Sequence, residues 1–472
     1  MIGNKKIYLI LAGICLLVYA NSLSNAFVID DIGMRDIPNI SRPFHYWQDP
    51  VRFLNCLIYL IGGYSPFAYH LANIALHAAA TILAFLFLRL FFTPQAAFLA
   101  ACLFAVHPVN SEAVTWISGK AYTIFAIFTL GPYLLYRKAT GAGIEERLRI
   151  RYYSASFILF FYFTIEHIPF YLVFPFFLFL SDVCSGKLRE NLKWLAPFFI
   201  VVFVKLLLLP VLISGRVSSM SADMGFFTAQ NPLTYFVYSL YAHFWLLLWP
   251  VNLSLFHEPY LIPASMFDWR SILYVLPVII SLVLTFKHSK RLFFGLCIFI
   301  MFLLPTYSPL PVSSLVAERY LYFPSIALSM AVAVLYERFS GGHPVLRRWF
   351  LAAMLVVIIF FSGRTIIRNR DWKDMRTVWE SVLIVSPDSW NAHDNMGYIY
   401  LNEGRLEKAV EELEKAIKVN PRSAVTFNNL GTAYSRLGSR DKAILCFQRA
   451  IELRPDYAKA RNNLIEEQKP KK

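Results

Sequence analysis

The chain has 472 residues, of which 57% are hydrophobic and only 16% are charged, and its mean hydropathy is +0.50. A soluble fold of this length could not bury so much apolar surface, so the composition excludes an ordinary soluble protein. The net charge of +15 is concentrated in short loops between apolar runs. That distribution follows the positive-inside rule and argues against a nucleic-acid partner. The six isolated cysteines indicate neither a disulfide framework nor a zinc site.

Apolar runs long enough for membrane spans follow one another from the N-terminus to Phe361. The first run follows Lys5 and Lys6 and has no small-residue cleavage site, so we expect a retained span. Placing the basic loops in the cytoplasm predicts about eleven spans with the C-terminus outside. The run from Thr234 to Trp249 would break this alternation, so we predict a re-entrant or interfacial helix there. The predicted spans begin near Ile7, Tyr69, Ala96, Tyr122, Tyr153, Ile168, Leu195, Ile272, Leu292, Phe323 and Trp349.

The first outer loop opens with two adjacent carboxylates, Asp30 and Asp31, directly after an apolar span. Helix capping accounts for one of them. The functional interpretation is a general base, because a carboxylate can take the proton from an incoming hydroxyl while a leaving group departs. Arg42 follows in the same loop and is a candidate for substrate binding.

The second outer loop contains His107 and Glu112 at the end of the third predicted span. We expect both to face the same aqueous cavity as the aspartates. A histidine near a helix end is more often structural than catalytic, and a single glutamate is often a cap. A metal site is also conceivable from these residues, but no ligand spacing singles one out.

After Phe361 the apolar runs stop, and the remaining sequence repeats itself with a period of about 34 residues, the length of a tetratricopeptide repeat (TPR). We predict a membrane domain over 1–363 and a TPR α-solenoid over 364–472, with repeats at about 390–423 and 424–457 and partial flanking helices. TPR grooves bind peptides or proteins; the alternative is that the repeats merely brace the membrane domain. Four asparagines on the first helices are candidates to line the groove and clasp a peptide backbone: Asn391, Asn395, Asn428 and Asn429. The paired positions are Gly397 and Gly431, Tyr400 and Tyr434, Gly404 and Gly438, Ala409 and Ala443, Ala416 and Ala450, and Pro421 and Pro455.

Five segments precede the TPRs: Phe27 to Asp31, Arg42-Pro43, Tyr69 to Asn73, Phe104 to Val114, and Ala317 to Ser325. Together with the TPRs, they resemble the transmembrane and tetratricopeptide-repeat O-mannosyltransferases and their bacterial relatives. Each motif is moderately specific, and their order covers essentially the whole chain. The resemblance implies the C-type (GT-C) glycosyltransferase fold, an all-α polytopic membrane domain that uses a lipid-phosphate sugar donor on the extracytoplasmic or lumenal side.

The resemblance also implies roles at matching positions. Either Asp30 or Asp31 would act as the base toward the acceptor hydroxyl, and His107 and Glu112 would position acceptor or donor. Arg319 matches a cationic position suited to the lipid phosphate, with Glu318 orienting it. A permanently charged arginine can grip two phosphate oxygens as negative charge grows on the leaving group. We therefore expect no divalent metal and no cofactor beyond the lipid-linked sugar.

Two positions depart from the family pattern and bear on substrate binding. Where relatives carry Gly-Arg-Ala-Asp, this chain has Gly119 to Tyr122, so Lys120 keeps the basic charge and the acidic one is lost. Near the fifth span the usual Lys-Glu is reduced to Glu166. These differences leave the sugar and the acceptor open more than the reaction class.

Two function classes remain. One is a membrane glycosyltransferase that moves a sugar, with mannose as a candidate, from a polyprenyl-phosphate donor to a hydroxyl of a protein or glycan, with the TPRs binding the acceptor or a partner. The other is a non-enzymatic membrane scaffold that recruits proteins through its TPRs. The paired aspartates and Arg319 on one face favour the enzyme. We expect a bacterial inner membrane with a periplasmic active face, or the endoplasmic reticulum in a eukaryote.

Overall fold

The computed structural model describes residues 4–165, 172–220, 232–257, 268–307, 314–341 and 344–469. Within these ranges every regular element is an α- or 3₁₀-helix, as the all-α prediction requires. The described residues divide into two compact units. The second comprises 254–257 and 374–469, and the first comprises the rest. The last apolar helix continues past Arg364, the predicted start of the repeat domain, and ends at Arg370.

The first unit is a bundle of α-helices interrupted by short 3₁₀ turns. The 3₁₀ turns that matter below are Ile29–Asp36, Pro108–Asn110, Ile117–Gly119 and Glu318–Leu321. The α-helices described in this unit are α1 (Asn4–Tyr19), α2 (Pro50–Gly62), α3 (Pro66–Leu88), α4 (Pro94–Val106), α5 (Ser111–Thr115), α6 (Lys120–Ala139), α7 (Glu146–Phe163), α8 (Phe174–Cys184), α9 (Leu188–Met220), α10 (Pro232–Leu248), α11 (Trp269–His288), α12 (Lys290–Leu303), α13 (Ile326–Ser340) and α14 (Pro344–Arg370).

Five of the described helices are long and apolar enough to cross a membrane. A sixth candidate is a broken span, because α4 and the Pro108–Thr115 segment that follows it meet at a bend of 52°. The predicted count of about eleven is therefore not confirmed. Several helices at predicted spans are shorter than a full crossing requires, including α8 with 11 residues and α12 with 14, and α6 ends in the cations Arg137 and Lys138. The five helices are Lys5–Ser24, Pro66–Leu88, Leu188–Leu208, Trp269–His288 and Pro344–Arg370.

Large apolar side chains stay exposed along several of these helices, as a lipid-facing surface requires. On α11, Ile272, Leu276 and Ile280 are exposed, and on α14 Leu355 and Ile359 are exposed. Water would disfavour such continuous apolar faces, whereas hydrocarbon does not. The first unit is accordingly a membrane domain.

The interior of the first unit is built largely from aromatic rings. Phe87 of α3, Tyr133 of α6, Phe177 of α8 and Phe294 of α12 pack in sequence, with ring centroids 5.2, 4.6 and 5.8 Å apart. Offset and edge-to-face contacts of this kind add to the free energy gained from burial alone. They tie four helices of the first unit together.

The second unit is a stack of antiparallel helix pairs. Gly397 and Gly431 occupy the same place in successive pairs, since a Cβ on them would lie 2.5 Å from Leu413 and 2.7 Å from Phe447. Gly404 and Gly438 have φ of 74° and 77° at the turns between paired helices, a conformation that favours glycine. The repeated glycines are thus explained by close helix approach and by turn geometry. The helices are α15 (Met375–Val385), α16 (Trp390–Asn402), α17 (Leu406–Val419), α18 (Ala424–Arg436), α19 (Arg440–Leu453) and α20 (Ala458–Gln468).

Candidate active site

The second outer motif forms a compact buried turn between α4 and α6. Pro108 follows the end of α4, the short α5 covers Ser111–Thr115, and a 3₁₀ turn leads into Lys120. The side-chain amide of Asn73 on α3 lies 3.1 Å from the carbonyl oxygens of Val114 and Trp116 and 3.3 Å from that of Ile117. It satisfies backbone acceptors that the irregular turn leaves without helical partners, and so fixes the turn in place.

Glu112 and Arg319 form a buried ion pair at this turn. The Arg319 guanidinium donates through Nη1 to Glu112 Oε1, and the Arg319 backbone N–H donates to Oε2 at 2.9 Å. Glu112 is fully buried and Arg319 nearly so. Both oxygens of the carboxylate therefore have charge-assisted or backbone partners, as an ion pair inside a low-dielectric interior requires.

A second arginine, Arg368 near the end of α14, holds the neighbouring carboxylate Glu318. Its Nη2 and Nε donate to Glu318 at 3.1 and 3.3 Å, and its Nη1 donates to Asp371 at 2.9 Å. Glu318 is thus the ion-pair partner of Arg368, whereas the sequence analysis expected Glu318 to orient Arg319. Arg368 was not anticipated from sequence. The signal that could have found it is an arginine just beyond the last apolar run, close to an outer loop.

Two tryptophan rings, Trp116 and Trp372, pack against the arginines of these two ion pairs. The ring of Trp116 stacks on that of Trp372 at 5.9 Å and 16°. Arg319 lies 5.9 Å above the Trp116 ring, and Arg368 lies 5.6 Å above the Trp372 ring. Cation–π contacts of this kind attract a guanidinium to the face of the ring and restrict its position. Both arginines are therefore held by a carboxylate and by an indole.

The acidic pair of the first loop divides into one exposed and one buried carboxylate. Asp30 is exposed, while Asp31 is 1% exposed. Asp31 accepts hydrogen bonds from the Ser118 backbone and hydroxyl at 2.8 and 2.5 Å and from the Val28 backbone at 3.2 Å. Burial raises the pKa of Asp31 to about 6, although these hydrogen bonds and the charge of Lys120 oppose the shift.

The backbone just before this pair is strained. Ile29 has a φ of 52°, which a β-branched side chain rarely adopts. Such strain is maintained only where the surrounding contacts enforce it, and it is commonly found at functional sites. Here it lies directly before Asp30.

Lys120 belongs to the Asp31 side of the site. Its ammonium donates to Asn55 at 2.6 Å and lies 5.2 Å above the Tyr69 ring. It is fully buried. Lys120, which keeps the basic charge of the family's Gly-Arg-Ala-Asp sequence, is therefore held against α2 and α3. Its positive charge stabilises the ionised form of Asp31.

Gly119 connects the Asp31 cluster with the Glu112–Arg319 pair. A Cβ at this position would lie 2.5 Å from the Glu112 carbonyl oxygen and 3.1 Å from the Ala113 Cα. The turn therefore folds back on itself, and Ser118, which holds Asp31, is next in sequence to a residue in contact with Glu112. The two clusters form one continuous site.

The end of α14 fastens this site to the first span. The Asn369 amide donates to the Val18 carbonyl and to Asn21, at 3.0 and 2.8 Å, and accepts from the Thr115 hydroxyl at 2.8 Å. It therefore bridges α1, α5 and α14. Asn369 was missed by the sequence analysis because a single asparagine after an apolar run carries no recognisable pattern.

The remaining predicted site residues of the first unit fall outside this cluster. The sequence analysis expected His107 to face an aqueous cavity. In the structure His107 is buried. Its Nε2 bonds to the Leu247 carbonyl at 3.0 Å and its Nδ1 accepts from the Val109 N–H at 3.3 Å. This histidine therefore has a structural position, tying the turn to α10. Arg42 is exposed on the first loop, and Glu166 lies outside the described residues.

The four predicted groove asparagines lie on α16 and α18. Asn395 donates to the Asn391 carbonyl at 2.8 Å, and both are half-buried. Asn428 accepts from Asn463 at 2.9 Å, and Asn429 lies 3.5 Å from Asp394. Asn428 and Asn429 are therefore engaged with flanking helices, and their binding to a peptide stays a prediction.

Comparison with known proteins agrees with the sequence analysis on two points, the tetratricopeptide repeats and the family resemblance. Family models described as "TPR repeat" and "Tetratricopeptide repeat" match residues 397–438 and 424–457. Protein O-mannosyl-transferase TMTC3 of Mus musculus is 27% identical over 88% of this chain and 51% of its own length. The relatives that this chain matches are named protein O-mannosyl-transferases of the TMTC family. The resemblance inferred from the motifs is confirmed.

Other members of that family show the same extent of similarity. Human TMTC3 is 26% identical over 88% of this chain and 52% of its own length. Drosophila melanogaster Tmtc3 is 26% identical over 88% of this chain and 55% of its own length. The chain thus spans about half the length of these relatives.

Proposed function

We propose that this protein is a membrane glycosyltransferase that moves a sugar, with mannose as the leading candidate, from a polyprenyl-phosphate donor to a hydroxyl of a protein or glycan. The observation that carries the proposal is the continuity of the site. An exposed carboxylate, Asp30, adjoins a buried one that is tied to the same turn as the Glu112–Arg319 pair. The names of the relatives support the reaction class.

Asp30 is the proposed base, and Asp31 the residue that positions it. The exposed Asp30 carboxylate can reach an incoming hydroxyl, whereas both oxygens of Asp31 already accept hydrogen bonds from Val28 or Ser118. Asp30 takes the hydroxyl proton as the acceptor oxygen bonds to the anomeric carbon of the sugar. The bond from that carbon to the phosphate oxygen breaks at the same time, and the polyprenyl phosphate leaves with the electron pair.

Arg319 is the proposed partner of the departing phosphate. Glu112 and the ring of Trp116 hold its guanidinium in position before substrate binds. Preorganised charge of this kind stabilises a developing anion without reorganisation at the moment of reaction. Neutralisation by arginine is proposed in place of a divalent metal.

The active face and the TPRs are proposed to lie on the extracytoplasmic side, where the TPRs bind the acceptor protein. The distribution of basic loops supports this sidedness. A reporter fused after Lys472 tests it: an extracytoplasmic signal is expected, and a cytoplasmic one would refute the placement.

The reaction itself is tested with the purified full chain in liposomes. Polyprenyl-phosphate mannose, glucose and N-acetylglucosamine are offered with an acceptor peptide rich in serine and threonine, and products are detected by mass spectrometry. We expect transfer from one lipid-linked sugar and none from a nucleotide sugar. Peptide binding without transfer from any donor would favour a scaffold.

A further inference from the structure

Three successive backbone carbonyls at the end of α4 accept hydrogen bonds from side chains. The helix cannot continue there, because Pro108, four residues after Phe104, has no N–H to donate. The three donors come from different parts of the membrane domain: the turn itself, α3 and α14. Phe104 accepts from Asn110 at 2.8 Å, Ala105 from His77 at 3.0 Å and Val106 from Thr365 at 2.7 Å.

His77 of α3 supplies the middle one of these contacts and is 0% exposed. Its Nε2 lies 3.0 Å from the Ala105 carbonyl oxygen, and its Nδ1 lies 2.7 Å from the Tyr322 hydroxyl. Burial favours a neutral imidazole, and a carbonyl oxygen can only accept, so Nε2 carries the ring proton and Nδ1 accepts from Tyr322. Both ring nitrogens are thus satisfied, and the histidine joins the end of α4 to the segment that follows Arg319.

The two segments that His77 holds carry the two members of the buried ion pair. Ala105 lies seven residues before Glu112, at the entrance to its turn. Tyr322 directly follows the 3₁₀ turn that contains Arg319, and its backbone N–H donates to the Arg319 carbonyl at 3.3 Å. Glu112 and Arg319 are 207 positions apart in the chain. One imidazole therefore bridges the backbones from which both charges project.

A second residue of α3 holds the same turn from its other side. Asn73, one helical turn before His77, donates to the carbonyls of Val114 and Trp116, which follow Glu112. Glu112 thus lies between two stretches of backbone that are both fixed to one face of α3. The segment Tyr69 to Asn73, which the sequence analysis singled out without assigning it a role, belongs to this face.

Close ring packing makes the His77 contacts rigid. The rings of Tyr19, Phe104 and Tyr322 surround the imidazole, with centroids 5.1, 5.8 and 5.7 Å from it. Phe104 and Tyr322 also pack edge to face at 5.4 Å. Side chains enclosed in this way have little freedom to change rotamer. The distance between the Glu112 turn and the Arg319 turn is therefore fixed by side chains that are themselves immobilised.

We propose that His77, acting with Tyr322, is a positioning residue that sets the Glu112–Arg319 pair for sugar transfer. This inference rests on the proposed role of Arg319 and adds the residues that determine where its guanidinium lies. Both residues are buried and act through the ion pair. Because a displacement of about 1 Å in a reacting group can cost about a hundredfold in rate, their hydrogen bond matters for turnover as well as for stability.

The rate of transfer per folded molecule tests the proposal in Tyr322→Phe, which removes one hydroxyl and keeps the ring. We expect kcat to fall about 10- to 100-fold, with the KM for the lipid donor changed less than about threefold, since the contact of Arg319 with the leaving group strengthens in the transition state. Tyr133→Phe is the matched control, because Tyr133 is equally buried and its hydroxyl bonds to Ser181 at 2.7 Å, between α6 and α8. A kcat for Tyr322→Phe equal to that of Tyr133→Phe would overturn the inference.

The histidine is tested with His77→Gln. The amide of glutamine can still donate to Ala105, but it offers no ring nitrogen to Tyr322, so kcat should fall as far as it does in Tyr322→Phe. The double variant should fall little further than either single one, because both substitutions remove the same hydrogen bond. Losses that multiply in the double variant would show that the two residues act separately, and would overturn their joint role.

A measurement without substrate separates this inference from the function on which it rests. The non-additivity of Glu112→Ala and Arg319→Met in melting temperature reports how strongly the pair is coupled. It should shrink in a Tyr322→Phe background and stay as in the wild type in a Tyr133→Phe background. Unchanged coupling in Tyr322→Phe would overturn the positioning role even if kcat falls. A wild type that transfers no sugar from any lipid donor would instead refute the proposed function, whatever the coupling.

Discussion

Gly119 lies directly on the backbone of Glu112, so close that a Cβ at 119 would sit 2.5 Å from the Glu112 carbonyl oxygen. This contact sets the spacing between Ser118, which holds Asp31, and Glu112, which holds Arg319. The geometry of this single turn therefore determines the relative positions of the proposed base and the proposed phosphate partner.

Gly119→Ala should disrupt this arrangement. The added methyl meets main-chain atoms that cannot rotate away, so we expect a loss of about 1–3 kcal/mol in unfolding free energy and a fall in transfer. Gly131→Ala, in the helix α6 that follows this turn, is the control, because a Cβ there has nothing within 4 Å. Thermal unfolding of both variants provides the comparison. Equal melting temperatures for Gly119→Ala and Gly131→Ala would show that the turn can open without cost.

Removing one partner of the buried ion pair should cost more than removing both. Glu112→Ala leaves Arg319 buried without its carboxylate, for an expected loss of about 3–5 kcal/mol. The double variant Glu112→Ala with Arg319→Met should recover part of that loss while remaining inactive. Glu146→Ala, at an exposed pair with Arg149, should change stability by less than about 1 kcal/mol. The comparison includes Arg319→Met alone. If the effects of Glu112→Ala and Arg319→Met simply add in the double variant, the pairing is contradicted.

The buried Asp31 predicts a specific pH dependence of stability. Its pKa is raised to about 6 by burial, so the folded state favours the protonated carboxyl. Its stabilising contribution is complete at low pH and is lost as the pH rises through about 6. The melting temperature of the wild type should therefore fall relative to that of Asp31→Asn between pH 4.5 and 7.5. A rise in that interval would mean that Ser118 and Lys120 stabilise the ionised form more than burial destabilises it.

In the repeat unit, His393 and Glu412 form a hydrogen bond of 2.6 Å between α16 and α17. This bond raises the pKa of His393, so its stabilisation is complete below the unfolded value near 6.5 and is lost as the pH rises through the folded value. Hydrogen exchange at pH 6 and 8, corrected for intrinsic rates, should show α16 and α17 losing protection in the wild type. His393→Gln should not show that loss, and identical profiles would argue against the charged pair.

The sequence predicted the helical class and the tetratricopeptide repeats, because apolar run length and the repeat period are local signals. It did not predict which carboxylate each arginine holds. Glu318 is adjacent to Arg319 in sequence, yet it bonds to Arg368, some fifty residues later. The same limitation applies to Asn369 and His107, whose roles depend on partners in α1, α5 and α10. Such long-range pairing is decided by packing and leaves no pattern in a single sequence.

The exposure of Asp30 beside the buried Asp31 makes the central claim directly measurable. The rate of sugar transfer from the lipid donor is compared in Asp30→Asn, in the control Asp388→Asn and in the wild type, with donor binding measured alongside. We predict that Asp30→Asn binds donor normally and loses roughly 10²–10⁴ in rate, the usual contribution of a general base, while Asp388→Asn keeps the wild-type rate. Full activity in Asp30→Asn would contradict the account.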